Sequence, residues 1–366
     1  MKRRWLSLAG LLVTLLALSG CTQDNSGGPV AGGTPLLPAT MTSSPTPTAT
    51  PLPTPAPTPV PLPAYQAGVN LLFYADSDWA SQLPALVTRL HADNVTCVAF
   101  TFPIYQAGDT ATQVGTGSGT PPDAQLEAVI RTLEGDGFAV MLRPLMDQGD
   151  LAPDWRGNIS PSSLPAWFAS YTQLMVHYAT LASDLHVQVM NVGSELYSLE
   201  GDTTGWEGVV SAVRTVYAGQ VTYSVNGISE TGGGMRSGFW GALDFLSVDA
   251  YWDLGVPNDA TAAQMAAAWE PYLTEMEGAA QGKPVVISEM GIIPVDGEQN
   301  TPWKGEQAGA TLDPTFQATY YQAACQAASA TKVEGLYAWE VNLGTPGDFD
   351  PMGQPAEQAM AACFGA

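Results

Sequence analysis

From residue 65 onward the chain alternates between two hydrophobic patterns. Near-continuous runs of Val, Ile, Leu, Met, Phe and Tyr occupy residues 68–74, 96–102, 139–145, 187–192, 221–225, 245–251, 284–289 and 335–341. Short runs without polar alternation are expected of strands covered by helices on one face and by a filled interior on the other. Between them, apolar positions recur three and four residues apart over 79–92, 123–133, 164–185, 206–218, 235–243, 262–281, 314–330 and 355–363. That spacing marks one face of a helix. The fifth of these stretches is Gly-rich and carries the weakest pattern. Gly135-Asp136-Gly137 and Gly282-Lys283-Pro284 read as helix stops followed by strand starts.

Eight strand–helix alternations in about 300 residues predict one (β/α)₈ TIM barrel, an α/β fold, over residues 65–366. The competing architecture is a doubly wound open sheet. It would carry a glycine-rich phosphate turn after its first strand, and Leu71-Leu72-Phe73-Tyr74-Ala75-Asp76 has none. In a barrel, function belongs where strands run into the loops that follow them.

The N-terminal segment follows a different logic. Residues 1–20 read as an export signal: Lys2-Arg3-Arg4, an apolar run from Trp5 to Leu18, then small residues. The run is shorter than the ~20 apolar residues of a bilayer-spanning helix. It ends Leu18-Ser19-Gly20-Cys21, which resembles the lipobox of bacterial lipoproteins. The resemblance implies cleavage before Cys21 and lipidation of its sulfur, hence a membrane-anchored, extracytoplasmic protein. Residues 21–64 form a disordered Pro/Thr-rich linker, with 12 of the chain's 29 prolines between positions 22 and 64. Such composition cannot bury a core and favours extended polyproline II, a spacer between membrane and domain.

Charge narrows the partners. Twelve Lys and Arg against 35 Asp and Glu give a net charge of −23, which repels phosphate backbones and excludes nucleic-acid binding. The same charge repels an anionic bilayer, so attachment to a membrane has to come through lipid. Three His, and four Cys without a CxxC, give no metal-site spacing. No metal, no cofactor and a monomeric state are expected. Cys325 and Cys363 fall on the last two helices, neighbours in a barrel, and a disulfide between them is left open; Cys97 sits in the second strand.

Two acids stand out by position. Glu195 follows the fourth strand and Glu289 ends the seventh, in Val285-Val286-Ile287-Ser288-Glu289. An acid beside an apolar strand is costly to bury without partners. Glycoside hydrolysis gives a reason for two: one protonated carboxyl assists the leaving oxygen while an ionised one attacks the anomeric carbon. Strands four and seven face each other across a barrel mouth.

These residues carry a family resemblance. Glu195 and Glu289 look like the acid/base and nucleophile of the (β/α)₈-barrel clan of retaining glycoside hydrolases. Met141-Leu142-Arg143-Pro144, Asp154-Trp155-Arg156-Gly157-Asn158-Ile159, Trp167-Phe168-Ala169-Ser170-Tyr171, His177-Tyr178-Ala179 and Gly193-Ser194-Glu195-Leu196 are similar in order and spacing to units three and four of glycoside hydrolase family 113. Ser247-Val248-Asp249-Ala250-Tyr251-Trp252, Ser288-Glu289-Met290-Gly291 and Tyr337-Ala338-Trp339 resemble its strands six to eight. The resemblance implies an endo-β-1,4-mannanase acting on a β-linked polysaccharide or oligosaccharide by double displacement. Another β-glycanase or β-glycosidase of the clan, and a non-catalytic carbohydrate-binding lipoprotein, are the alternatives. The chain departs from the pattern at Ser194, where many clan members have Asn, at Arg143 for Lys, and at Leu145 for His.

Six further residues are candidates for substrate contact. Tyr251 is placed to bond the Glu289 carboxylate, or is a core aromatic. Asp249, on the same strand face, orients Arg143 or another cation, or caps the sheet. Arg143 ends an apolar strand and needs a carboxylate or substrate hydroxyls. Trp339 offers a flat face to a pyranose or belongs to the core. Trp155 is a platform or a loop anchor, and Asn226 contacts sugar or precedes a turn at Gly227. Trp79, Trp206, Trp252 and Trp303 are added as groove candidates, and His177 is read as structural.

Overall fold

A computed structural model describes residues 60–147, 151, 155–227, 238–305, 307, 309–343 and 347–366. The export signal, Cys21 and most of the linker lie outside the described residues. Eight strands alternate with helices: β1 (Gln66–Leu72), α1 (Trp79–Ala92), β2 (Cys97–Ile104), α2 (Asp123–Gly135), β3 (Ala139–Met146), α3 (Leu164–Leu185), β4 (Val189–Ser194), α4 (Thr203–Arg214), β5 (Gln220–Asn226), β6 (Leu246–Asp249), α5 (Ala262–Ala279), β7 (Val285–Met290), α6 (Pro314–Ala330), β8 (Val333–Asn342) and α7 (Pro355–Phe364). The strands pair in sequence order, all parallel, and β1 pairs β8 to close the barrel. The protein is thus a (β/α)₈ barrel.

The expected elements differ from the observed ones at several ends; β6 stops at Asp249, so Tyr251 lies past the strand instead of sharing its face with Asp249. β4 starts and ends two residues later than expected, so Glu195 directly follows its last residue. α4 starts three residues early because Asp202 caps it, accepting from the Gly205 N–H at 2.9 Å. The Gly-rich fifth stretch forms only a 3₁₀ turn at Phe239–Ala242, with residues 235–237 outside the described part; glycine pays the largest entropic cost in a helix. Val60 and Leu62 are partly buried against the barrel interior, so the folded body starts ahead of residue 65.

Side chains sort by strand parity. One parity (Val98 and Phe100, Val140 and Leu142, Val285 and Ile287) packs against the helices. The other fills the lumen, and it changes character along each strand. Cys97, Ala99, Ala139, Met141, Val189, Phe245, Val286 and Tyr337 form an apolar layer toward the strand starts. Further along, the same parity places Thr101, Arg143, Asn191, Ser247, Asp249 and Ser288, all buried. Gly68 belongs to the lower layer because a Cβ there would lie 2.2 Å from the ring of Tyr337, whose hydroxyl donates to Gln66 Oε1 at 2.7 Å.

Cys325 on α6 and Cys363 on α7 are joined in a disulfide, and Cys97 is a buried free thiol. The bridge spans 38 residues, a loop for which chain-entropy arguments give about 3–4 kcal/mol of stabilisation. Cys363→Ser should lower the unfolding free energy in urea by about that much, and reductant should lower the parent chain to the same level.

Candidate active site

Polar side chains from every strand converge at the C-terminal end of the barrel. Arg143 stands at their centre with no exposed surface. Its Nε donates to Ser194 Oγ at 3.1 Å and Nη1 to Asn70 Oδ1 at 2.8 Å. Its Nη2 donates to Asp249 Oδ2 at 2.9 Å and lies 2.5 Å from Glu289 Oε1. Asp249 accepts a second bond, from Ser288 Oγ at 2.8 Å. Every nitrogen of the guanidinium therefore has a partner, as a buried cation requires.

Glu289 is 4% exposed, and its other oxygen, Oε2, accepts from the Tyr251 hydroxyl at 3.0 Å. Burial holds its carboxyl above the ordinary range, and the nearby Glu195 charge pushes the same way, while Arg143, Arg156 and Tyr251 oppose the rise. Burial also holds Asp249 well above that range, against the pull of Arg143. The cause is shared: one guanidinium serves two buried carboxylates, so the group as a whole retains a proton more readily than surface acids do.

Glu195 sits in a different setting. Its backbone is in the left-handed region, φ +56°, a conformation that costs a non-glycine residue about 1 kcal/mol or more. The turn is held by the Glu195 N–H on Ser224 O at 2.9 Å and by the Leu196 N–H on Tyr223 Oη at 2.9 Å. It follows a break in β4–β5 register between Asn191 and Ser194. The carboxylate is gripped on both oxygens: Asn226 Nδ2 donates to Oε1 at 2.7 Å and Arg156 Nη1 to Oε2 at 3.1 Å.

The barrel thus gathers Glu195, Glu289, Arg143, Asn226, Asp249, Tyr251 and Trp339 at one end. Two of the substrate-contact expectations need correction. Arg143 and Asp249 have no exposed surface, so they lie beneath the site instead of facing a ligand: Arg143 pairs with carboxylates and Asp249 orients Arg143, the other readings given for them above. Asn226 meets Glu195, and Tyr251 meets Glu289. Trp339 is half-buried on β8, with its ring 6.0 Å from Arg143 Cζ. Trp155 is half-buried in the turn after β3, its ring packed over Gly157. Of the groove candidates, Trp206 and Trp252 are core residues, packed on Phe239 and Tyr272. Trp79 is half-buried against the core, and Trp303 is 45% exposed. His177 pairs with Asp123 at 3.1 Å on the helical surface.

Four contributors had no assigned role in the sequence. Arg156 comes from the 3₁₀ turn Arg156–Asn158, its Nε anchored on Met146 O at 3.0 Å. Asn70 and Ser288 complete the shell around Arg143. Glu340, next to Trp339, is pushed up to about 7 by burial, opposed by a bond to Asn342 and reinforced by Glu289. A cavity of about 280 Å³ opens above this layer. Tyr74, Asp147, Arg156 and Trp339 give it polar and aromatic walls, and Leu72, Pro103 and Leu145 give it apolar ones. A groove of about 460 Å³ lies beside it, between the turn carrying Asn158 and the one carrying Tyr197.

Residues 74–346 match the sequence profile of Glycoside Hydrolase Family 113. In structure the chain is similar to a GH113 β-1,4-mannanase, with TM-score 0.72 and 22% identity over 82% of this chain and 99% of that one. It is also similar to the GH113 β-mannanase of Alicyclobacillus acidocaldarius, with TM-score 0.70 and 25% identity over 82% and 97%. A β-glucuronidase of Ruminococcus gnavus shares the fold, with TM-score 0.56 and 12% identity over 83% of this chain and 50% of that one. No curated protein matches the chain in sequence.

The shell around Arg143 has a direct stability consequence. Arg143→Met leaves Asp249 and Glu289 buried without their cation, and should destabilise the fold by about 3–5 kcal/mol. Their folded pKa values, already raised, rise further above the unfolded ones. Stability from such groups is present at low pH and lost as pH climbs. The deficit in urea unfolding should therefore be small near pH 4 and grow toward neutrality.

Proposed function

Since the chain belongs to Glycoside Hydrolase Family 113, we propose that it is an endo-acting β-1,4-mannanase in which Glu289 is the nucleophile and Glu195 the acid/base. The chain is a glycoside hydrolase. The observation that carries it is two buried carboxyls, one just past β4 and one on β7, each with its own set of donors, at the barrel end where Arg156 and Trp339 wall a cavity. Trp339 offers a ring to the apolar face of a pyranose. The groove between Asn158 and Tyr197, on the Glu195 side, gives room for sugars beyond the scissile bond, as endo action requires. Trp155 stands at its edge, packed on Gly157.

In the first half-reaction Glu289 attacks the anomeric carbon while Glu195 protonates the departing oxygen. In the second, Glu195 takes a proton from water, whose oxygen displaces Glu289 with net retention. Tyr251 and Arg143 orient the attacking carboxylate and favour its ionised form against burial. No cofactor enters this chemistry.

Reducing-end release from mannan, glucomannan and cellulose oligomers tests the specificity; cleavage of cellulose oligomers in preference to manno-oligomers would replace it by another β-glycanase. Glu289→Ala should abolish turnover, with azide restoring part of it as a surrogate nucleophile; wild-type turnover in that variant overturns the role. Because Glu289 must ionise and sits above its ordinary 4.5, activity should decline on the acid side at a pH above 4.5. Tyr251→Phe removes a donor to the charged form. It should move that decline to still higher pH and lower kcat about tenfold or more.

We further propose that the chain is a monomeric, extracytoplasmic lipoprotein, tethered through Cys21 with residues 22–64 as spacer. The support is the order of charge, apolar run and Leu18-Ser19-Gly20-Cys21. Two acyl chains suffice for stable anchoring. Cys21→Ala should shift the protein from the membrane fraction to the soluble one; unchanged fractionation would count against the anchor.

A further inference from the structure

The two carboxyls are served by two different guanidinium groups. Arg143 belongs to Glu289, and all three of its nitrogens are engaged: with Ser194, with Asn70, and with Asp249 and Glu289. Arg156 belongs to Glu195, at 3.1 Å, with their side chains 10% and 9% exposed. By a static criterion Arg156 is misplaced. A general acid has to keep its proton until the leaving oxygen takes it, and an adjacent cation favours early loss.

The placement makes sense once the charge is followed through the reaction. In glycosylation the bond from the anomeric carbon to the leaving oxygen breaks, its electron pair goes to that oxygen, and the oxygen takes the Glu195 proton. A lone pair of Glu289 forms the new bond to carbon. Glu289 becomes a neutral ester, and the negative charge it carried now resides on Glu195. In deglycosylation water gives its proton to Glu195 and its oxygen bonds to carbon. The ester electron pair returns to Glu289, beside Arg143. One negative charge therefore moves between two ends of the site.

We propose that Arg156 is the positioning residue for the far end of that movement, holding Glu195 in place and stabilising the charge it acquires as the leaving group departs. This rests on the roles given above to Glu195 and Glu289. The turn after β3 fixes Arg156 for the task, with Nε on Met146 O, leaving Nη1 for the carboxylate. The other groups facing Glu195 cannot substitute for it. Asn226 from β5 is neutral. Asp249 and Tyr251 from β6 and beyond, and Glu289 from β7, are acids or a phenol. Arg143 from β3 has its N–H groups committed below.

The consequence is selective. Arg156 assists the step in which Glu195 gains charge, so its loss matters most where the leaving oxygen needs a proton. Arg156→Met should lower kcat/KM for manno-oligosaccharides, on the plateau of the pH profile, by about tenfold or more. For an aryl β-mannoside with a strongly acidic phenol, which departs without protonation, the loss should stay within about threefold. The alkaline limb of the oligosaccharide profile should move up by about one unit. The acid limb should move up less, because Arg156 is a weaker influence on Glu289 than Arg143 is. Arg156→Lys, which keeps the charge, should return the alkaline limb toward wild type, and Arg156→Gln provides a second neutral variant should Met disturb the turn. Equal losses on both substrates with unmoved limbs, or a Lys variant no better than Met, would mean a purely structural residue and overturn the inference while leaving the hydrolase reading intact. If Glu289→Ala measured alongside keeps wild-type turnover, the role assignment itself fails and this inference falls with it.

Discussion

A guanidinium without water sets the terms for the rest of the barrel's upper half. Arg143 is fully buried, and a cation taken out of solvent costs several kcal/mol unless its N–H groups all find acceptors. Its partners come from four other strands: Asn70 on β1, Ser194 on β4 and Asp249 on β6 accept hydrogen bonds, and Glu289 on β7 forms an ion pair. They are scattered over more than 200 positions of sequence and meet only because β1 pairs with β8 and closes the cylinder. An open sheet would leave the same arginine facing one or two of them. The apolar layer of Met141, Val189, Phe245, Val286 and Tyr337 beneath completes the arrangement by filling the space water would otherwise occupy.

The two acids are held by different means. Glu289 lies within β7, beside shifts of register with both neighbouring strands, and is tied from below by a side chain that cannot move without breaking the shell. Glu195 lies one residue past its strand, at a positive φ that its neighbours maintain through backbone bonds to Ser224 and Tyr223. Its partners approach from the side, Asn226 from β5 and Arg156 from a turn. A backbone strain of this kind persists only where the surroundings over-determine it. Its effect is to turn Glu195 over the end of the barrel instead of along the strand.

Much of this arrangement is legible in the chain itself. Covered strands leave unbroken apolar runs, so all eight were legible, and acids at the ends of two of them stood out against that background. Legibility failed where the same residue type serves opposite purposes. Trp206 and Trp252 occupy patterns a groove tryptophan would also occupy, and only packing against Phe239 and Tyr272 assigns them to the core. Arg143 and Asp249 signalled an ion pair but not its depth, because depth depends on which neighbours close over them. Arg156 stood within a stretch that carried the family resemblance but showed no role of its own, since one arginine in a polar turn is indistinguishable by pattern from any solvated one. In its described residues the fifth helical stretch forms a 3₁₀ turn for a local reason, its glycine content.

The combination of Arg143 with Asp249 also bears on why a buried carboxylate could be reactive. An arginine alone beside Glu289 would hold the negative charge firmly and make it a poor electron-pair donor. Asp249 shares the same Nη2, so Glu289 meets a guanidinium already largely neutralised by another carboxylate. Burial then keeps the Glu289 carboxyl above its ordinary range, which is to say that the ionised form is held at higher free energy than a solvated carboxylate. In the role proposed for Glu289, a more basic carboxylate is the better nucleophile toward carbon, and the strain of keeping it ionised would be released on forming a neutral ester. Orientation is supplied separately, by Tyr251 on the other oxygen. Position and reactivity are thereby set by different neighbours, and the apparent waste of burying two acids against one base is what separates them.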